Sequence, residues 1–213
     1  MNQIELHKTL PCVFEGREVQ SEIWLQDVTF QKGETYLVEA SSGTGKSSLC
    51  SYIIGYRKDY LGTILFDGKD IRQYGVSDWT SVRQHTLSLL FQELRLFPEL
   101  TAMENIEIKN GLTGYKSRRE IEEWFQRLGI ADKMSAKVGR MSFGQQQRVA
   151  MIRALVQPFD FLMVDEPISH LDDENSVIMC DIMMEEVSRQ GAGVIVTSIG
   201  KHMNMSYDKT FRL

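Results

Sequence analysis

Residues 35–48 read TYLVEASSGTGKSS, and this stretch decides the fold. Four of its first five residues are apolar, aromatic or β-branched and the fifth is a glutamate, which predicts a buried strand. Two glycines, Gly43 and Gly45, follow, and a helical pattern begins directly after them. A glycine-rich loop between a strand and a helix can curl its amide N–H groups around an anion, and the helix N-terminus adds partial positive charge. The stretch therefore predicts a phosphate-binding loop.

The residues of this loop predict contacts with a nucleotide. We expect the Lys46 ammonium to reach the β- and γ-phosphates and the Ser47 hydroxyl to coordinate Mg²⁺. Ala40 stands where such a loop normally has its first glycine, and we expect it to end the strand at negative φ, where a Cβ costs little. The full set of predicted nucleotide contacts in this loop is Ser41, Ser42, Gly43, Thr44, Gly45, Lys46, Ser47 and Ser48.

A second signal is the acidic pair that ends the apolar run FDFLMVDEP at 159–167. The C-terminal ends of strands are where open α/β sheets bind ligands. We expect Asp165 to hold the Mg²⁺ shell through water and Glu166 to polarise an attacking water. Together with the phosphate loop far upstream, this pair predicts a protein that binds a nucleoside triphosphate with Mg²⁺ and hydrolyses it.

Short apolar runs alternate with longer helical patterns, which predicts an α/β fold. The candidate strands are 35–39, 63–66, 86–91, 159–164, 194–197 and 209–213. Capping boxes predict one helix that begins after Ser117 and ends near Gly129, and another that begins after Ser142 and runs to about Val156. The region of about 93–150 is therefore predicted to be helical, between flanks that form the sheet.

The composition narrows the class of protein. The chain has 213 residues and a net charge of −5, which disfavours the basic face that a nucleic-acid partner requires. No stretch approaches the ~20 apolar residues of a membrane span. Cys12, Cys50 and Cys180 have no metal-ligand spacing and are expected to be reduced thiols in the cytosol.

The motifs, in their order, resemble those of the ATP-binding domain of the ABC ATPase family, and the resemblance covers nearly the whole chain. Residues 40–48 are similar to the Walker A loop, and Gln92 matches the glutamine that contacts Mg²⁺ and the membrane partner. The segment 141–155, MSFGQQQRVAMIRAL, is similar to the signature helix. VDEP at 164–167 resembles Walker B with its catalytic glutamate, and 169–172 resemble the loop that crosses the dimer interface.

The resemblance implies one P-loop NTPase domain over residues 1–213. Its RecA-like core is expected from 1–91 and 151–213, with a mixed, mostly parallel sheet flanked by helices and an N-terminal antiparallel β part. A helical subdomain that carries the signature motif is expected at about 93–150.

The resemblance also implies partners. Ser142, Gly144 and Gln145 of one copy are expected to meet the ATP bound on a second copy, most simply in a homodimer, with a heterodimer as the alternative. The stretch 91–106 most resembles the subfamily that serves lipoprotein release, macrolide export and cell division. There, an integral membrane permease subunit couples through a cleft near Gln92, so the chain is expected on the cytoplasmic face of the inner membrane.

Three positions need separate expectations. Phe14 is the candidate for the aromatic residue that stacks on adenine, and a core position is its alternative. Phe143 replaces a signature glycine, and its ring is expected to crowd the site or to pack against the partner. Ser198 stands where the family has a catalytic switch histidine; because serine is shorter and uncharged, we expect slow turnover, unless His202 substitutes at the start of a helix.

Two other classes of function share these motifs. A regulatory nucleotide-binding module with little ATPase activity is indicated by Ser198 and Phe143, and opposed by Glu166 and Gln92. ATPases that repair or structure DNA carry long coiled-coil or zinc-bearing insertions. The chain has neither heptad repeats nor cysteine clusters, so this class is disfavoured.

Overall fold

The computed structural model describes residues 1–41, 43–168, 173–200 and 202–213. The strands in these ranges are β1 (Gln3–Pro11), β2 (Asp27–Gln31), β3 (Thr35–Glu39), β4 (Tyr60–Phe66), β5 (Lys69–Asp70), β6 (Leu87–Leu90), β7 (Phe161–Asp165), β8 (Gly193–Ser198) and β9 (Lys209–Arg212). The helices are α1 (Lys46–Ile53), α2 (Val76–His85), α3 (Ala102–Asn110), α4 (Arg118–Arg127), α5 (Phe143–Leu155) and α6 (Asp173–Gln190). Short 3₁₀ turns connect several of them.

Five strands form a parallel sheet in the order β6-β7-β8-β3-β9. The predicted α/β architecture is confirmed, and each predicted strand overlaps an observed one. The sheet is buried on both faces, because alternate residues of its strands enter two separate cores. In β7, Phe161 and Met163 pack with α1 and the N-terminal sheet, whereas Leu162 and Val164 pack with α3 to α6. This double burial explains the nearly continuous apolar runs.

A second sheet is antiparallel, with the order β2-β1-β4-β5, which confirms the predicted N-terminal β part. Strands β1 and β2 were not identified individually from the sequence. In β1 the buried Ile4 and Leu6 alternate with residues that are partly exposed, so the run lacks the continuous apolar character of the central strands. Its buried face joins the core over α1.

Both predicted capping boxes are present. Ser117 Oγ accepts from Glu120 N at the start of α4, and Ser142 Oγ accepts from Gln145 N at the start of α5. Gly129 follows α4 at a φ of 65°, as the predicted helix end requires. A separate helical subdomain remains a prediction: α3 and α4 share one core with α5, α6 and the sheet. Within the described ranges, no helix is long and apolar enough to cross a membrane.

Candidate nucleotide-binding site

The register of the parallel sheet collects the predicted site residues at one edge. Asp165 ends β7 opposite Thr197, and Ser198 ends β8 opposite Glu39, the last residue of β3. The phosphate loop therefore leaves the sheet beside the acidic pair. Gln92 follows β6, the neighbour of β7, and also lies at this edge.

The loop has the backbone that an anion cradle needs. Gly43 and Gly45 have φ values of 84° and 101°, which L side chains rarely adopt. Ala40 is not among the positive-φ residues, as expected for a residue that ends the strand, and its N–H donates to the Ser198 carbonyl at 3.1 Å. Thr44 Oγ1 donates to the Ser41 carbonyl at 2.9 Å, which closes the turn.

Trp24, which no sequence motif predicts, packs against this loop and hydrogen-bonds to it. Its Nε1–H donates to the Thr44 carbonyl at 2.9 Å, and its ring lies 3.2 Å from the point that a Gly45 Cβ would occupy. Phe14 approaches that point equally closely. Gly45 is therefore required for its close packing against two aromatic rings as well as for its φ. Trp24 belongs to no recognisable motif, so only the folded chain reveals it.

Lys46, Ser47 and the acidic pair meet at the start of α1. Lys46 Nζ lies 3.2 Å from Glu166 Oε1, and both side chains are largely buried. Glu166 has a φ of 49°, and its N–H donates to the Thr197 carbonyl at 3.1 Å. A left-handed glutamate is strained backbone, which functional sites tolerate when the surroundings hold it. The candidate general base is thus fixed beside the loop lysine.

Asp165 receives two hydroxyl donors. Ser47 Oγ donates to its Oδ2 at 3.1 Å, and Thr197 Oγ1 donates to its Oδ1. Burial raises the pKa of the Asp165 carboxyl above its usual range, although both hydrogen bonds oppose this shift. A hard cation such as Mg²⁺ prefers carboxylate and hydroxyl oxygens. Ser47 and Asp165 fit that preference, so these residues suit the metal that the sequence predicts.

A cleft of about 400 Å³ opens over this cluster. It is lined by Val13, Phe14, Gly43, Gly45, Lys46, Ser47, Ser48, Gln92, Glu166 and Ile199. Phe14 and Gly43 also line an adjoining pocket of about 260 Å³, which reaches Arg17 and Gln20. Phe14 is half-buried, packs against the core and faces both cavities, so its position suits both alternatives proposed for it.

The two residues considered for the switch position both neighbour Glu39, Ser198 through the strand register and His202 through a side-chain contact. Ser198 is 2% exposed and is not among the residues that line the cleft, although its neighbour Ile199 is. His202 Nε2 pairs with Glu39 Oε1 at 3.1 Å. The described residues between β8 and β9 form no helix, so the early helix that His202 would need for the switch position is not found there.

The signature residues lie at the exposed tip of α5. Ser142 and Phe143 are exposed there, and Phe143 keeps 43% of its surface accessible. Neither these residues nor Gly144 and Gln145 are among those that line the cleft. The structure therefore does not bring the tip to the phosphate loop of the same chain. Two other predicted parts, Ser42 and residues 169–172, lie outside the described residues.

The fold and the loop define a P-loop nucleoside-triphosphate-binding protein. Over residues 26–169 the chain matches the family described as ABC transporter. The uncharacterised ABC transporter ATP-binding protein YclH of Bacillus subtilis is 31% identical over 191 residues, covering 88% of this chain and 83% of YclH. The lipoprotein-releasing system ATP-binding protein LolD of Geobacter metallireducens is 30% identical over 190 residues, covering 88% of this chain and 84% of LolD.

A solved structure gives the same result for the fold. The dimeric structure of MJ0796, a bacterial ABC transporter cassette, superposes with a TM-score of 0.76 at 25% identity, covering 92% of this chain and 87% of MJ0796. The chain belongs to the ABC transporter family and is one of its ATP-binding cassettes. The resemblance inferred from the motifs is thereby confirmed.

Proposed function

We propose that this cassette hydrolyses ATP as a head-to-tail homodimer and thereby drives a separate membrane subunit, at the cytoplasmic face of the membrane. One observation carries the proposal: Lys46, Ser47 and Glu166 line one cleft, with Asp165 hydrogen-bonded to Ser47 beside it, whereas the capped tip at Ser142 lies elsewhere on the same chain. A second copy can bring its tip to that cleft.

The roles in hydrolysis follow from the chemistry of these side chains. Lys46 neutralises charge on the β- and γ-phosphates, and Glu166 orients the attacking water and accepts its proton. Ser47 and Gln92 would hold Mg²⁺ directly and Asp165 through water. When bound at these residues, Mg²⁺ would supply positive charge that stabilises the transferred phosphoryl group. Phe14 stacks on the adenine, at the side of the cleft that faces the adjoining pocket.

Turnover is proposed to be slow, because the buried Ser198 supplies neither the reach nor the charge of a histidine. A regulatory module that binds ATP with little turnover is the alternative that this serine favours. Steady-state ATPase activity of the purified chain, alone and with its membrane subunit, separates the two. A rate increase of at least tenfold with the membrane subunit is expected for a transport ATPase, and no stimulation would favour the module.

The dimer is tested with Glu166→Gln, which keeps the shape of the side chain but removes the base. With ATP and Mg²⁺ this variant is expected to double in mass by light scattering and to show no hydrolysis. Adding Lys46→Ala is expected to return it to a monomer, because the phosphates lose their cation. A Glu166→Gln protein that stays monomeric at saturating ATP would contradict the proposed dimer.

A cleft lined by Phe91 and Arg95, which lie on either side of Gln92 in the chain, is the proposed docking site for the membrane subunit. Its rim has exposed Phe97, Ile108 and Leu112, and Lys109 also lines it. Exposed apolar side chains around a cation suit an amphipathic segment that carries a carboxylate. Replacing the three apolar residues with serine should leave the ATPase of the isolated cassette unchanged and abolish its stimulation by the membrane subunit. Serine at Val76, which is 87% exposed elsewhere, is the matched control.

A further inference from the structure

The loop after β6 contains two consecutive residues with left-handed backbone. Leu94 has a φ of 59° and Arg95 a φ of 50°. A pair of non-glycine residues keeps this strained conformation only where the surroundings hold it. Gln92 lies two residues before Leu94 and lines the nucleotide cleft. Whatever holds the turn therefore bears on the position of Gln92.

Arg153, in the last turn of α5, holds this turn. Its Nη1 donates to the carbonyl of Arg95 at 2.6 Å, and its Nη2 donates to the carbonyl of Leu94. In the part of the chain that is described, no carboxylate forms an ion pair with Arg153, so these two carbonyls are its principal acceptors. A planar guanidinium bridges two neighbouring acceptors, which a lysine ammonium cannot do in the same geometry.

The side chains around the same loop contact the segment that follows the phosphate-loop helix. The Arg95 guanidinium lies 4.1 Å from the centre of the Phe91 ring. Phe91 in turn stacks on Tyr56, with ring centroids 5.9 Å apart and planes inclined by 5°. Tyr56 comes soon after α1, the helix that begins at Lys46. The loop of Gln92 is therefore tied to the segment just after α1 on one side and to α5 on the other.

We propose that Arg153 is a positioning residue that couples α5 to Gln92 within one subunit. Helix α5 carries the capped Ser142 at its first end and Arg153 in its last turn. A shift of α5 that engages its tip with the partner's nucleotide also moves the guanidinium, and with it the strained turn. The inference rests on the proposed role of Gln92 in hydrolysis and adds the link by which the signature helix controls it.

The test compares Arg153→Lys and Arg153→Met with Arg148→Lys. Arg148 lies on the same helix and donates instead to the Leu128 carbonyl and to Asn175. Both Arg153 variants are expected to lower kcat about tenfold, with the ATP dissociation constant within about twofold of the unmodified value, because phosphate contacts remain while positioning is lost. Arg153→Lys keeps the positive charge and suffices alone if the methionine variant does not fold.

Hydrogen exchange gives a readout that is independent of activity. The Leu94 N–H donates to the Phe91 carbonyl at 2.9 Å, and this bond closes the turn. Exchange at residues 94–95 is expected to become faster in Arg153→Lys and to remain unchanged in Arg148→Lys. Unchanged exchange in Arg153→Lys overturns the inference.

A double-mutant cycle with Gln92→Ala separates a positioning role from a merely structural one. If Arg153 acts through Gln92, Arg153→Lys causes no further loss of kcat once Gln92 is alanine, whereas a general structural defect multiplies the two losses. If the two losses of kcat multiply, the inference about Arg153 is wrong while the role of Gln92 stands. The same holds if Gln92→Ala is slow but Arg153→Lys has a normal kcat. Normal kcat in Gln92→Ala overturns the proposed role of Gln92, and the inference with it.

Discussion

At the scale of single residues, the phosphate loop depends on a tryptophan outside every motif. Trp24→Phe keeps most of the ring but removes the Nε1–H that donates to the Thr44 carbonyl. Loss of one such hydrogen bond removes about 1 kcal/mol of the free energy that orders the loop, so ATP binding should weaken by up to about fivefold. Titration with a fluorescent ATP analogue measures the effect.

The chain offers a matched control for this change. Trp79 is also buried, but its Nε1 has no hydrogen-bond partner among the described residues. Trp79→Phe removes an unpaired polar group together with part of a buried ring, so it should leave ATP affinity unchanged even where the lost packing lowers the free energy of unfolding. Equal losses of ATP affinity in Trp24→Phe and Trp79→Phe would show that the Thr44 bond has no special role.

The site shows which residues a sequence can predict. Lys46, Ser47, Asp165 and Glu166 were found because each lies next to a strand or helix boundary that local pattern defines. Thr197, whose hydroxyl donates to Asp165, was not found, because its role depends on the register between β7 and β8. Register is set by long-range packing and cannot be read from either strand alone.

At the scale of elements, the start of α5 combines stability with proposed binding. Ser142→Ala removes the acceptor for the Gln145 N–H, which costs about 1 kcal/mol of stability. It also removes the hydroxyl that we propose meets the partner's γ-phosphate. In a Glu166→Gln background, ATP-dependent dimerisation should therefore weaken at least tenfold, as measured by analytical ultracentrifugation.

Helix α4 provides the control, because it begins with the same type of capping box. Ser117 Oγ accepts from Glu120 N at 3.3 Å, the distance found in the Ser142 box. Ser117→Ala should lower the free energy of unfolding by a similar amount and leave dimerisation unchanged. If both variants dimerise equally well, Ser142 acts only as a helix cap.

The helices and strands differ in how well the sequence predicts them. Helices α4 and α5 can be predicted from a capping residue, its partner three residues later and an apolar stripe, because all three features lie within the helix segment itself. Strand β1 does not, because it is stabilised by antiparallel pairing with β2 and β4, which lie far along the chain. Its place in the fold was anticipated only through the family resemblance.

At the scale of the whole molecule, Lys109 links the proposed docking cleft to stability. Burial, assisted by the charge of Arg153, lowers the pKa of the Lys109 ammonium to about 8. In the unfolded chain this group titrates near 10.4. Between these values the unfolded chain binds the proton more strongly than the folded protein does. Stability contributed by Lys109 should therefore rise as the pH increases from about 8 to 10.

Urea denaturation from pH 7.5 to 10 tests this linkage. Lys109→Met removes the titrating group. The variant should therefore be more stable than the unmodified protein at pH 7.5, and this difference in unfolding free energy should shrink towards pH 10. Val76→Met, at an exposed residue that does not titrate, should show a difference that does not vary with pH. A pH-independent difference for Lys109→Met would show that the ammonium is well solvated. In that case a carboxylate of the membrane subunit would gain little from docking beside it, because solvated ion pairs contribute weakly.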